Sequence, residues 1–171
     1  DERHIPAGLE LESAGARNQI AQLAGTFRNS RDAARLLAGW GWVGNAYRSY
    51  AARDESDRAT PARVEVSLHQ FTTSTGAAYA LTYFAHDRAV ALQLHEELGE
   101  FLLPCEAMVS GNGSATRYLR RGSLVVRVTV VVREPVEADA GALARTVATE
   151  LALAVLASTG EWESTRDPSC G

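Results

Sequence analysis

Gly39-Trp40-Gly41-Trp42-Val43-Gly44 spells G-x-G-x-x-G, the spacing that cradles the pyrophosphate of a dinucleotide. That chemistry needs a strand before the glycines and a helix after them, so that phosphate meets a helix N-terminus. Here the pattern runs the other way, helix first, and two indoles fill the space a pyrophosphate needs. The motif reads as a helix terminator followed by a Trp core anchor. His4, His69, His86 and His95 form neither H-x-x-x-H nor H-E-x-x-H, and Cys105 and Cys170 lack partners at zinc spacing. The acidic run from Asp54 to Asp57 lacks the Gly and terminal Glu of a calcium loop. No metal or cofactor is therefore expected.

Covalent catalysis finds equally little support. There is no G-x-S-x-G elbow, and all 17 basic residues are Arg, which removes S-x-x-K and any Schiff-base lysine. Ser110-Gly111-Asn112-Gly113-Ser114 reads as a flexible loop, and its Asn112-Gly113-Ser114 sequon as a turn. A dispersed site would need His69, His86 or His95 to face a carboxylate in a deep pocket. The expectation is a protein that is not an enzyme.

Two groups invite a binding reading. Tyr79, Tyr83 and His86 recur at i, i+4 and i+7 as a second stripe on one helix. The stripe is either a second buried side or a partner surface, since aromatic rings with polar tips suit interfaces. Arg117, Arg120, Arg121, Arg127 and Arg133 would bind an anion from a wet sheet face, or pair with the chain's carboxylates. Cys105 and Cys170 admit two states. A bridge would pin the C-terminal tail and close a loop of about 65 residues, for about 4 kcal/mol on the chain-entropy model. Otherwise Cys105 is a buried thiol and Cys170 a frayed one.

Hydrophobic periodicity supplies the elements that position these groups. Ile20, Leu23, Ala24 and Phe27 mark one helix. Ala33, Leu36, Leu37 and Trp40 mark a second, with Asn29-Ser30 as its N-cap. Strands follow over 42–52 and from Val64 to Phe71. A helix capped at Ser74 or Thr75 carries Ala77, Ala78, Leu81, Phe84 and Ala85, and helical character resumes over 89–98. The stretch 99–114 reads as irregular. Residues 117–133 form a hairpin turning at Arg121-Gly122 or Gly122-Ser123. On its second arm Leu124, Val126, Val128, Val130 and Val132 face a core, while Arg127, Thr129 and Arg133 face a wetter side. The last helix covers about 138–158. The order is α-α-β-β-α-(α)-β-β-α. It predicts an α+β layered domain: an antiparallel sheet flanked by helices, with two ββα units.

At 171 residues, 46% of them hydrophobic and 22% charged, the chain suits one globular domain. Its expected parts are a helical segment at 1–39, a sheet-and-helix core at 40–158 and a tail at 159–171. A net charge of −4 offers no field for nucleic acid. No apolar run near twenty residues and no leader are seen, so the chain reads as a mature or trimmed soluble region.

The run Arg-Tyr-Leu-Arg-Arg-Gly-Ser-Leu-Val-Val-Arg-Val (117–128) resembles a strand–Arg-Gly–strand hairpin of extracytoplasmic lipoprotein and kinase-sensor domains from GC-rich bacteria. Val-Glu-Val-Ser-Leu-His-Gln-Phe-Thr-Thr-Ser-Thr-Gly-Ala-Ala-Tyr-Ala (64–80) is similar to the strand and Ala-rich helix of the same group. The resemblance implies a sandwich like that of the photosystem II P-subunit and an extracytoplasmic location, secreted or anchored through a removed N-terminal segment. It transfers no functional residue. The expected function is a non-catalytic module binding a small molecule or protein, with a homo-oligomer left open. An accessory subunit of an envelope assembly and a small enzyme are the alternatives.

Overall fold

The structure, a computed structural model, describes residues 4–54, 56, 60–94, 102–103, 105–111, 113–133 and 140–159. Among these, the strands are β1 (Leu9–Arg17), β2 (Trp42–Ala52), β3 (Arg63–Phe71), β4 (Leu102–Leu103), β5 (Glu106–Gly111), β6 (Ser114–Arg121) and β7 (Leu124–Val131). They join in one antiparallel sheet of order β1-β2-β3-β7-β6-β5-β4. The helices are α1 (Ile20–Ala24), α2 (Ser30–Gly39), α3 (Ser74–Ala91) and α4 (Ala140–Ser158). The fold is α+β, as the hydrophobic pattern implies.

Both sheet faces carry a core. Leu23, Leu37, Trp42, Phe71, Leu81, Phe84 and Val125 pack where α1, α2 and α3 cover one face. Tyr50, Val64, Val126, Val128, Val130, Leu151 and Leu156 pack where α4 covers the other. The two ββα units, β2-β3-α3 and β6-β7-α4, thus place their helices on opposite faces. Small residues let the helices sit close. Ala77, Ala80, Ala85 and Ala89 of α3, and Ala144, Ala148 and Ala152 of α4, are all fully buried. By length and composition α4 could cross a membrane, although only 33% of its most apolar window is buried in this fold.

Local chemistry sets the helix starts. The Asn29 side chain accepts from the Asp32 backbone N–H at 3.1 Å, as expected for α2. For α3 the cap is Thr73, accepting from Gly76 N–H at 3.0 Å, rather than Ser74 or Thr75. Gly76 is demanded by space: a Cβ there would lie 2.0 Å from the Trp40 carbonyl oxygen. The expected second helix over 89–98 does not start afresh. α3 runs unbroken to Ala91, and residues 95–98 lie outside the described set.

Three expectations need correction. The 1–39 segment is not purely helical, because β1 pairs along β2 from Leu9↔Ala52 to Arg17↔Asn45. The 99–114 stretch is not irregular throughout, because β4 and β5 lie within it and β5 pairs β6 down to Gly111↔Ser114. Nor does the ribbon have a wet side. β7 is the central strand, with helices over both faces, so Thr129 is buried and shares a 3.0 Å hydrogen bond with buried Thr116. The ribbon turn lies at Gly122-Ser123, with Gly122 at φ 51° and Arg121 paired with Leu124.

Candidate functional site

One helix cannot cover a seven-stranded face. An α-helix with its side chains is about 10–12 Å across, and strands repeat every 4.8 Å or so. α4 packs on β5, β6 and β7. Over β1, β2 and β3 the described residues leave the same face open as a groove of about 450 Å³. One wall is Leu151, Ala154 and Val155 of α4; the floor is Ala46, Tyr50, Val66 and Leu68 of β2 and β3. Ala14 and Gly15 of β1 keep the outer side shallow, and His4, Arg48 and Ser158 bring polar groups to the rim. The groove suits an apolar body with one polar end.

On the opposite face, Tyr79 and Tyr83 join Trp40 in an aromatic ridge between α2 and α3. Ring centroids are 6.4 Å apart for Trp40–Tyr79 and 5.6 Å for Trp40–Tyr83, and Tyr83 also meets Phe27 at 5.4 Å. Tyr79 is 59% exposed and His86 is exposed, while Tyr83 is half-buried. The stripe is therefore split: one ring is packed, and the other two side chains face solvent. Motif 39–44 ends α2 and begins β2, with Trp42 buried, which accords with a terminator and core anchor.

His69 does not face a carboxylate. It is 1% exposed, its Nε2 lies 3.1 Å from Ser67 Oγ, and its ring packs on Phe84 at 5.1 Å. Burial first, then the charges of Arg127 and Arg17, hold its pKa well below 6.5. The hydroxyl–imidazole pair has no acid on Nδ1 among the described residues, and Ser67 is 2% exposed, so no substrate reaches it. His86 is on the surface, and His95 lies outside the described residues.

The five arginines do not form one patch. Arg117 shares the α4 face with Ala115 and Leu119 and pairs with Glu106. Arg120 points to the other face, donating to the Gly122 carbonyl at 3.3 Å and to Cys105 Sγ at 3.3 Å. Arg127 shares that second face with Val125, beneath the helices. Strand alternation separates them. Cys105 precedes β5, and the Arg120 backbone N–H donates to its carbonyl at 2.7 Å; Cys170 lies outside the described residues.

No protein-family model and no curated protein matches this chain. Among solved structures the chain is similar to the extracellular domain of PknH from Mycobacterium tuberculosis. The two are 12% identical, with a TM-score of 0.42 over 84% of this chain and 80% of that one.

Proposed function

We propose that this protein is a non-catalytic binding module that takes a small apolar or amphipathic ligand into the α4 groove. The observation that carries the proposal is the groove itself. Its volume of about 450 Å³ is in the usual range for ligand pockets, and its aliphatic walls converge on a few polar rim groups. Among the described residues nothing else buries Val66 and Leu68 fully, and both are half-exposed on a face that is otherwise core. An extracytoplasmic location belongs to the same proposal. It rests on the residue-pattern resemblance and on the two cysteines.

The test is native mass spectrometry of protein purified from its source, alongside Ala154→Trp. Ala154 is half-exposed on the groove wall, so an indole there fills the groove without emptying the core. Wild type should retain or take up an amphipathic ligand, and the variant should bind it at least tenfold more weakly. Equal binding by both proteins would remove the groove from the account. A second reading, a protein partner on the ridge, is favoured by the exposure of Tyr79. Its test is loss of partner capture by Tyr79→Ala with the groove intact.

A further inference from the structure

Under the helices, polar side chains cross the sheet in a continuous row. Register places Arg17 beside Asn45, Asn45 beside His69, Ser67 beside Arg127, and Arg127 beside Tyr118. At the β7–β6 end of this row, a cavity of about 150 Å³ opens between α3 and the segment after α1. Arg28, Asp87, Arg88, Tyr118 and Arg127 are among its lining residues. The wall thus carries three guanidinium groups against one carboxylate. Burial raises the pKa of Asp87, and a backbone hydrogen bond and the charge of Arg28 act on the same carboxylate in the opposite sense. Arg88 donates one Nη2 hydrogen to Ser114 Oγ at 3.0 Å, and Tyr118 donates its hydroxyl to the Phe84 carbonyl at 3.2 Å. Nε of Arg88 and Nε of Arg127 are both buried with no hydrogen-bond partner among the described residues. Buried donors are normally paired, and a guanidinium with a buried, unpaired Nε is suited by an acceptor with negative charge.

We propose that this cavity binds one small oxyanion, held by forked hydrogen bonds between Arg88 and Arg127. Guanidinium geometry matches phosphate, sulfate or carboxylate oxygens. The cavity volume lies well below that of a drug-sized ligand site, so the occupant is a free anion rather than the head group of a larger molecule. The site lies on the opposite face from the α4 groove and stands or falls independently of it.

Inorganic phosphate is the probe, titrated by calorimetry and thermal shift in buffer of constant ionic strength made up with chloride. Wild type should gain thermal stability with phosphate beyond the chloride control. Arg127→Gln and Arg88→Gln should each weaken binding at least tenfold, while Arg63→Gln, on the exposed sheet end, leaves it unchanged. Asp87→Asn should tighten binding, an effect that a purely structural role for these residues does not produce. Propyl phosphate should bind at least tenfold more weakly than phosphate. No phosphate-specific shift, an unchanged affinity in whichever arginine variant folds, or equally tight propyl phosphate would each overturn the site.

Discussion

Acid should destabilise this protein through the buried imidazole of His69. His69 is 1% exposed and sits among Asn45, Ser67 and Phe84, with Arg127 and Arg17 the charges acting on it. Its folded pKa lies well below the 6.5 of an exposed imidazole, through burial first and the two arginines second. The unfolded chain therefore takes up this proton at higher pH than the folded one. Above pH 6.5 the neutral ring contributes its full stability, and the contribution is lost as pH falls toward the folded pKa. In that window the unfolded state binds more protons than the folded one, so stability falls with pH at a slope that for one group cannot exceed about 1.4 kcal/mol per pH unit. Asp87, whose pKa is raised by burial, works with the opposite sign at lower pH, since protonation there favours the folded state. Comparing wild type with His69→Gln at each pH cancels that term, and glutamine keeps a group that reaches Ser67. The assay is urea denaturation from pH 7.5 to 5. Wild type should lose stability more steeply than the variant as the pH falls across the window. Parallel curves, or an NMR titration of His69 centred near 6.5, would refute the reasoning.

Other outcomes follow from packing. Gly76→Ala, which ordinarily gains about 0.5–1 kcal/mol in a helix, should instead cost about 1–3 kcal/mol by chemical denaturation, since the new Cβ meets the Trp40 carbonyl at 2.0 Å. Thr129→Val should cost about 1–3 kcal/mol by leaving the Thr116 hydroxyl unpaired. Adding Thr116→Val should recover most of that loss, and a strictly additive double mutant would contradict the pairing. If Cys105 and Cys170 are bridged, intact protein should weigh two hydrogens less than the reduced form, and reduction should lower stability by about 4 kcal/mol. Finding both thiols alkylated without reductant would settle the matter against the bridge.

What the sequence disclosed depended on how strongly each element declares itself. β7 sets Leu124, Val126, Val128 and Val130 on one face and Arg127 and Thr129 on the other, and α4 repeats Ala and Leu at helical spacing, so both could be read directly. β1 could not. Its second half, Ser13-Ala14-Gly15-Ala16, offers no β-forming side chain, and most of its residues stay exposed at the sheet edge. β5 was hidden between Cys105 and the glycines at 111 and 113, whose punctuation suggested a loop although they close a hairpin. The central place of β7 was also out of reach, because period-2 alternation does not reveal that the polar face is covered by helices. That error concealed the burial of Thr129 and of the Arg127 Nε atom. The groove was illegible for a related reason: it exists because α4 covers only part of one face, a matter of topology rather than of any residue. Tyr79 and His86 were found as a stripe, but only packing showed Tyr83 turning toward Phe27 and Trp40.

The central claim is that the uncovered half of the α4 face receives an amphipathic guest. Titrating isotope-labelled protein with decanoate, and following amide and methyl resonances, addresses it most directly. Saturable shifts concentrated at Tyr50, Val66, Leu68, Leu151 and Val155 are expected, with Tyr79 and His86 unmoved. Shifts scattered over the surface, or centred on the aromatic ridge, would contradict it.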